Sequence, residues 1–191
     1  MIGNDLIDLE IPMSNNWNTS RYLNKLYTTA EQKYISEAQD PQLILQLFWS
    51  LKEAAYKAHQ RRLDLPRSYN PLEFSCEIIS EDNSETTGSV FIGNSVYHTI
   101  SIITKQYIHS VASFDNPSNF ISKIFDAEID IKQELLLAYS KITQQEFQLL
   151  SVQKNAEQIP FFYRNKTKLH VDFSLSHHGK FSAFVLALTN S

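Results

Sequence analysis

A long amphipathic helix is the sequence feature that most restricts the fold. It follows Pro41 and reads QLILQLFWSLKEAAYKAHQRR, the clearest helical pattern in the chain. At about 100° per residue, its apolar positions share one face. That face carries Leu43, Ile44, Leu47, Phe48, Leu51, Ala54, Ala55 and Ala58. The other side collects Gln46, Trp49, Glu53, Lys57 and Gln60. We therefore expect the helix to bury one stripe and to present Trp49, Glu53 and Lys57 together.

Strands and shorter helices are predicted on either side of this helix. The opening MIGNDLIDLEI predicts a strand, and residues 19–38 predict two short helices. Thr28 and Glu31 have the spacing of a capping box at the start of the second of these helices. The later pattern predicts three or four strands within 72–114, a helix over 130–142, a weaker helical pattern over 143–152 and a second strand group over 159–188.

Two related lobes are the predicted architecture. The segment DNPSN at 115–119 reads as a linker, so the first lobe covers 1–115 and the second covers 116–191, although the two can be counted as one domain. Residues 99–114 and 172–188 share a plan of serine, apolar residues, a short turn and an aromatic strand. In this alignment Ser174, Ser176 and His177 of the second copy correspond to a degenerate SIIT at 101–104, although hairpins also produce such likeness by chance.

Composition excludes several classes of protein. Hydrophobic residues make up 42% of the 191 residues, which favours a packed globular chain over a disordered one. We expect no membrane span, because no apolar run approaches about 18 residues, and no nucleic-acid partner, because the net charge is −4. The single cysteine and the acidic N-terminal segment lead us to expect a reducing cytoplasm and no signal peptide.

Asp5 and Glu53 are candidate metal ligands. A carboxylate on the opening strand and another on the helix face can converge on one Mg²⁺, which prefers oxygen ligands and keeps several waters. Asp8 is a poorer candidate. Side chains alternate between the two faces of a strand, so Asp8 points to the face opposite that of Asp5. The alternative is that Asp5 caps a turn and that Glu53 pairs with Lys57 one helical turn away.

Two lysines of the helix are candidate phosphate contacts. Lys57 shares the face of Glu53, where its ammonium group can meet a diphosphate. Lys52 lies about 100° away and faces either another part of the site or solvent. Taken alone, solvation is the commoner role for both.

The segment SLSHHGKF offers hydroxyl groups, an imidazole and turn amides, which suits a phosphate-binding nest. A nucleophilic serine with histidine as its base is the alternative, but adjacent strand residues diverge. His177 is therefore interpreted as an anion contact and His178 as an exposed turn residue.

A local basic cluster stands out in this acidic chain. It comprises Arg61, Arg62 and Arg67 after the helix and Arg21 and Lys25 before it. Such a cluster is either a solubility feature or a docking surface for an acidic protein.

Three segments resemble the signature motifs of 4′-phosphopantetheinyl transferases. They are GNDLIDL, WSLKEAAYKA and FSLSHHG, and RYLNKLYTTAEQ resembles the segment between the first two. The resemblance implies an α+β protein with the 4′-phosphopantetheinyl transferase fold: two related α/β lobes, each with a small antiparallel sheet packed on helices, and an active site between them.

The resemblance also implies a reaction: Mg²⁺-dependent transfer of the 4′-phosphopantetheine arm of coenzyme A to a serine of an apo acyl or peptidyl carrier protein. Adenosine 3′,5′-bisphosphate is the other product. Asp5 and Glu53 would bind the metal, and Glu53 would also activate the serine hydroxyl, directly or through water. Lys57 would neutralise diphosphate charge, while Ser176 and His177 would hold the nucleotide end. Large family members often have a second acid where this chain has Ile7, so waters or Asp8 would complete the metal shell.

The motif order resembles that of short, holo-acyl-carrier-protein-synthase-like members, which are trimers, but this chain is longer. We therefore expect a monomer with one complete site and keep a trimer as the alternative. A catalytically silent adaptor that binds coenzyme A or a carrier protein, and a metal-dependent phosphoesterase, are the competing hypotheses. The pathway, whether fatty acid, polyketide or nonribosomal peptide synthesis, stays open.

Overall fold

The computed structural model describes residues 1–82, 85–115, 119–155 and 157–188. Its helices are α1 (Ser20–Leu26), α2 (Thr29–Glu37), α3 (Pro41–Leu63) and α4 (Ile131–Thr143). Its strands are β1 (Ile2–Asp8), β2 (Ser75–Glu81), β3 (Glu85–Ile92), β4 (Ser95–Ile103), β5 (Tyr107–Ser113), β6 (Phe120–Asp126), β7 (Leu150–Lys154), β8 (Pro160–Arg164), β9 (Thr167–Leu169), β10 (Phe173–His178) and β11 (Phe181–Ala187). In the described part of the chain, no helix combines the length and apolar character of a membrane span.

The first lobe is a five-stranded antiparallel sheet with the long helix packed on it. The strand order is β1-β5-β4-β3-β2, and α3 lies across β1 and β5. The predicted apolar stripe of α3 is confirmed in its central and C-terminal part, where Leu47, Phe48, Leu51, Ala54, Ala55 and Ala58 are buried. Gln46 and Gln60 of the opposite side are buried as well, because other parts of the chain cover that side too. The helix is thus fixed on both faces.

A buried ion pair joins three elements of this lobe. Lys52 Nζ donates to Glu31 Oε2 at 2.7 Å and to the carbonyls of Leu26 and Pro71, and the Lys52 side chain is 0% exposed. Glu31 also completes the predicted capping box with Thr28 at the start of α2. Three acceptors satisfy the three donors of the ammonium group. Neither role considered for Lys52, solvation or a contact in the site, is therefore correct.

The second lobe contains two small antiparallel sheets packed on α4. Their strand orders are β10-β11-β6 and β7-β8-β9. The sequence pattern missed β6 and β7, and its weaker helix over 143–152 was wrong, because only Phe147–Leu149 form a 3₁₀ turn before β7 begins. Residues 116–118 of the predicted linker lie outside the described residues, so the lobe boundary stays a prediction.

The lobes meet along two apolar clusters made of matching strand positions. Ile2 and Val111 of the first lobe pack with Phe120 and Val185 of the second. Leu6, Tyr107, Ile124, Phe181 and Ala183 form the other cluster, in which the Tyr107 and Phe181 rings lie 5.2 Å apart. Burial of these side chains fixes β1 of the first lobe against β10 and β11 of the second.

Candidate active site

Asp5, Glu53 and Lys57 come together because β1 runs unusually close to α3. A Cβ atom at Gly3 would lie 2.1 Å from the Ala54 carbonyl oxygen and 2.7 Å from the Ala58 nitrogen. Glycine is therefore required where the strand crosses the helix. This close crossing places Asp5 within 3.0 Å of Lys57, since Lys57 Nζ donates to Asp5 Oδ1.

Lys57 is held by two acceptors on β1. Besides Asp5 Oδ1, its ammonium group donates to the Asn4 carbonyl oxygen at 2.8 Å. Neither Lys57 nor Asp5 is fully covered, with side chains 25% and 14% exposed. The sequence alternative in which Lys57 pairs with Glu53 along the helix is not what the structure records, because the ion pair runs between helix and strand.

Glu53 has an unusual acidity for a carboxyl group. Burial and, second, the neighbouring charge of Asp5 raise its pKa from 4.5 to about 7, while Lys57 and Arg67 act in the opposite direction. A carboxyl group with a pKa near neutrality can exchange a proton at physiological pH. The same proximity of two carboxylates is what a divalent cation would stabilise.

Asp5 and Glu53 are oxygen ligands of the kind that Mg²⁺ takes. Among the described residues there is no group of three or more His, Cys, Asp and Glu side chains that could hold a metal. Two carboxylates, with the remaining positions filled by water and substrate phosphate, are a usual arrangement for Mg²⁺. Asp8 is a poorer third ligand, because each of its carboxylate oxygens already accepts from a backbone N–H group, Oδ1 from Glu10 and Oδ2 from Lys180.

The second lobe contributes the turn between β10 and β11. A Cβ atom at Gly179 would lie 2.2 Å from Asp8 Oδ2, so only glycine lets this turn approach β1. The turn amide of Lys180 donates to Asp8, which leaves it unavailable to a phosphate. The predicted nest of turn amides is therefore wrong in that detail. His178 is half-buried rather than an exposed turn residue, and its Nδ1 accepts from the Asp8 backbone at 2.9 Å.

Ser174, Ser176 and His177 have different surroundings on β10. Ser174 is completely buried and does not line the described cavities that contain Glu53. Ser176 is buried against Asn4 but reaches a cavity, and His177 is exposed at the same place. Of the two serines, the structure thus brings only Ser176 to the face of Glu53 and Lys57.

Two cavities meet at Glu53 and His177, which line both. The larger, of about 590 Å³, lies between the lobes and also contains Lys57 and Ser176. Its lining contains more cationic side chains than carboxylates. The cationic side chains are Lys57, Arg61, Arg67, Lys132 and Lys154, and there are two carboxylates. We call it the cationic cavity. Its charge and size suit a ligand with several phosphate groups.

The smaller cavity, of about 270 Å³, lies on the other side of Glu53 and His177 and contains Asp5. Its lining is richer in large apolar and aromatic side chains, among them Ile11, Met13, Tyr22 and Trp49. We call it the apolar cavity. Asp5, Glu53 and His177, which come from β1, α3 and β10, therefore line the same cavity, and their roles stay predictions.

Sequence reasoning gave part of the basic cluster a different role. Arg61 and Arg67 had been considered for protein docking, but they line the cationic cavity. Burial lowers the pKa of Arg61 to about 10, so it stays protonated at neutral pH. Arg62 points elsewhere, donating to Tyr97 and Ser95. Lys132 and Lys154 carried no signal in the sequence, because nothing along the chain indicates which exposed lysine faces the other lobe.

A family model described as the 4′-phosphopantetheinyl transferase superfamily matches residues 1–112. The chain belongs to this superfamily. The observed mixture of helices and antiparallel sheets agrees with the fold of the superfamily, and membership supports phosphopantetheinyl transfer in general. It also implies coenzyme A and carrier proteins as the partners of the family's chemistry. Comparison with curated proteins gave no match.

The family match covers only part of the candidate site. Residues 1–112 include Asp5, Glu53 and Lys57 but not Ser176 and His177. The two residues of the second lobe are thus connected to the site by geometry, through the cavities that they share with Glu53.

Proposed function

We propose that the protein is a Mg²⁺-dependent transferase that moves the 4′-phosphopantetheine moiety of coenzyme A to a serine of an apo acyl or peptidyl carrier protein. Adenosine 3′,5′-bisphosphate is released. One observation carries this proposal: Glu53 and Lys57 of the family motif lie in the same cavity as Ser176 and His177 of the second lobe, among further cations.

Asp5 and Glu53 would hold the Mg²⁺ ion. When bound, the ion neutralises charge on the diphosphate and on the phosphoryl group being transferred. The raised pKa of Glu53 fits this assignment, because a cation would relieve the repulsion between the two carboxylates. Water molecules and phosphate oxygens would complete the ligand set.

Glu53 would also accept the proton of the carrier serine, directly or through a water molecule. The serine oxygen forms a bond to the phosphorus next to pantetheine as the bond from this phosphorus to the bridging oxygen breaks. The electron pair leaves with adenosine 3′,5′-bisphosphate. A bound cation would lower the pKa of Glu53 below the value of about 7 in the metal-free protein, so Glu53 would be ionised and able to accept this proton at neutral pH.

Lys57 would stabilise the leaving group. In the ligand-free protein its ammonium group lies on Asp5 and the Asn4 carbonyl. A diphosphate in the cationic cavity would provide a new partner at short range, so Lys57 can follow the negative charge that develops on the bridging oxygen. Ser176 and His177 would hold the nucleotide end, with Arg61, Arg67 and Lys132 as additional phosphate contacts.

The two cavities support a direction for the reaction. Attacking and leaving oxygens lie roughly in line in phosphoryl transfer. With the nucleotide in the cationic cavity, the serine of the carrier would approach from the apolar cavity on the other side of Glu53 and His177. The rim of the apolar cavity, with Met13, Tyr22 and Trp49, would then contact the carrier protein.

A mass measurement tests the proposal. The protein is incubated with coenzyme A, MgCl₂ and a panel of apo acyl and peptidyl carrier proteins. We expect a carrier to gain the mass of one phosphopantetheine and adenosine 3′,5′-bisphosphate to appear in equal amount. Saturable binding of coenzyme A without a mass gain would support the adaptor alternative, and consumption of coenzyme A with an unmodified carrier would support a phosphoesterase.

We further propose that the active form is a monomer, since a single chain supplies Asp5, Glu53, Lys57, Ser176 and His177 to two cavities that share Glu53 and His177. Light scattering coupled to size-exclusion chromatography checks this directly. A trimer as the sole active species would contradict it.

A further inference from the structure

Asn4 lies between Gly3 and Asp5 and has no part in the reaction proposed above, yet its side chain is completely buried where the lobes meet. Its amide nitrogen lies 3.0 Å from Ser176 Oγ, 3.2 Å from His109 Nε2 and 3.4 Å from the Ala183 carbonyl oxygen. These partners belong to three strands, β5 of the first lobe and β10 and β11 of the second. The Asn4 side chain therefore joins the two lobes.

The main chain of Asn4 contacts the other half of the site. Its carbonyl oxygen accepts from Lys57 Nζ at 2.8 Å. One residue thus contacts both Lys57, on α3, and Ser176, on β10. Because Asn4 is fixed in β1 by strand pairing with Val111, a shift of either contact would be transmitted to the other.

The hydrogen bond to Ser176 also fixes the direction of a hydroxyl group. A serine hydroxyl has one hydrogen to donate and lone pairs that accept. Since the Asn4 amide donates to Ser176 Oγ, the hydrogen of Ser176 is left for another acceptor. Within the described ranges, Asn4 is the recorded hydrogen-bond partner of Ser176 Oγ, and Ser176 lines the cationic cavity. A phosphate oxygen there would receive that hydrogen.

We propose that Asn4 is a positioning residue that fixes Ser176 as a hydrogen-bond donor toward an anionic oxygen of the nucleotide and sets the spacing between Ser176 and Lys57. The inference rests on the proposed function, because it takes the nucleotide end of coenzyme A as the occupant of the cationic cavity.

The chemistry of the position favours asparagine over its close relatives. An aspartate would accept from the Ser176 hydroxyl and turn its hydrogen away from the cavity, while alanine would leave that hydroxyl without its present partner. The neighbouring imidazole of His109 is also suited to accept a hydrogen bond from the Asn4 amide. Burial and, second, the charge of Lys57 lower the pKa of His109 to about 4, so it is neutral and can accept at Nε2.

Ser122 provides a matched control. It is half-buried on β6 and lies within 3.4 Å of the other ring nitrogen of His109, so it belongs to the same polar group. The recorded contacts of its side chain include neither Ser176 nor Lys57. Replacing Ser122 changes the same junction of the lobes without removing the hydrogen bond between Asn4 and Ser176.

Binding of adenosine 3′,5′-bisphosphate, measured by isothermal titration calorimetry, is the first test. We expect Asn4→Ala and Ser176→Ala each to raise Kd about tenfold, and the double variant to lose no more than either single one, because both act through one hydroxyl. Ser122→Ala should bind like the wild type. An unchanged Kd in Asn4→Ala, or a double variant whose loss equals the product of the single losses, would overturn the proposal.

The second test needs no ligand. In ¹H–¹⁵N spectra, we expect the amide signals of Ser176 and His177 to move in Asn4→Ala and to stay in place in Ser122→Ala. Unmoved signals in Asn4→Ala would overturn the positioning role. A wild-type protein that does not bind the bisphosphate would refute the proposed function, whereas these spectra would still decide the role of Asn4.

A third measurement tests the proposal without the Asn4→Ala variant, in case that variant does not fold. In the wild type, the side-chain amide signals of Asn4 should move when the bisphosphate binds, although Asn4 lies behind Ser176. In Ser176→Ala the movement should disappear. Persistence of the movement in that variant would show that Asn4 senses the ligand by another route and would contradict the proposal.

Discussion

The two lobes follow the same chain path but carry opposite charges at one matching position. Each begins with a strand, continues to a helix packed on its sheet, and ends with a hairpin whose last strand pairs with the first. In the first lobe Asp8 pairs with Tyr107, and in the second Asp126 pairs with Phe181. Counting back three residues from each aspartate places Lys123 where the first lobe has Asp5.

The final hairpins of the two lobes also differ at matching positions. With Tyr107 matched to Phe181, the strand register places Ile103 at the position of His177. Ile102 then corresponds to Ser176, one residue earlier than the sequence alignment had it, because the two turns differ in length. The first lobe thus has Asp5 on its first strand and isoleucines in its hairpin, whereas the second lobe has Lys123 on its first strand and Ser176 and His177 in its hairpin. A site with both halves therefore forms across the junction, and the lobes are complementary.

Among the variants that test this comparison of the lobes, we expect the largest loss of activity at Glu53. Glu53→Gln removes a metal ligand and the base, so we expect transfer to fall by about 10³-fold or more while the fold survives. Glu134→Gln, at a glutamate in the first turn of the second lobe's helix α4, should keep wild-type activity. Carrier modification followed by mass spectrometry measures both. Wild-type turnover in Glu53→Gln would remove Glu53 from the mechanism.

Asp5 comes next. We expect Asp5→Asn to lower transfer by about 100-fold and to raise the Mg²⁺ concentration needed for half-maximal activity, because one of two carboxylate ligands is lost. Lys123→Asn makes the matching change in the second lobe and should leave the Mg²⁺ dependence unaltered. Equal effects of the two substitutions would contradict the asymmetry between the lobes. Titration of activity with MgCl₂ decides the question.

Glu53 should also reduce the stability of the metal-free protein at alkaline pH. Its pKa is about 7 when folded and near 4.5 when unfolded, so the folded state binds the proton more tightly. Stability is then fully present below pH 4.5 and falls as the pH rises to about 7. Allowing for partial exposure to solvent, we expect Glu53→Gln to raise the free energy of unfolding at pH 8 by about 1–3 kcal/mol.

Denaturant unfolding in EDTA at pH 5 and pH 8 measures this effect. The gain should be larger at pH 8 than at pH 5, and Glu134→Gln should show no such difference between the two pH values. A Glu53→Gln variant that is less stable than the wild type at pH 8 would mean that the ionised carboxylate is favourably held.

The smallest expected effect concerns the cationic side chains that both lobes contribute to the cationic cavity. Arg67 of the first lobe and Lys132 of the second both line the cationic cavity. We expect Arg67→Gln and Lys132→Gln each to raise KM for coenzyme A about three- to tenfold, with little change in kcat, and more strongly at low salt. Lys141→Gln, in the last turn of α4, serves as the control. Steady-state kinetics at two ionic strengths would separate these outcomes, and a loss confined to one lobe would refute shared phosphate binding.

Much of the fold and some of the site could be predicted from the sequence. The period of the apolar residues identified α3, the Thr28–Glu31 spacing identified the start of α2, and the motif segments pointed to Asp5, Glu53 and Lys57. These signals are local, because helix periodicity, capping and a short motif each depend on residues close together along the chain. The cytoplasmic location, the carrier protein and the pathway stay predictions.

Other features were decided by the tertiary structure. Lys52 and Lys57 lie on the same helix, yet packing buries Lys52 with Glu31 and leaves Lys57 at the cavity. Arg67 and Lys132 converge although they lie far apart along the chain and in different lobes. The local pattern determines which elements form and which faces of them are apolar. Which charge reaches which neighbour depends on how the lobes pack, because that packing decides where water is excluded and where two distant charges come within a few ångströms of each other.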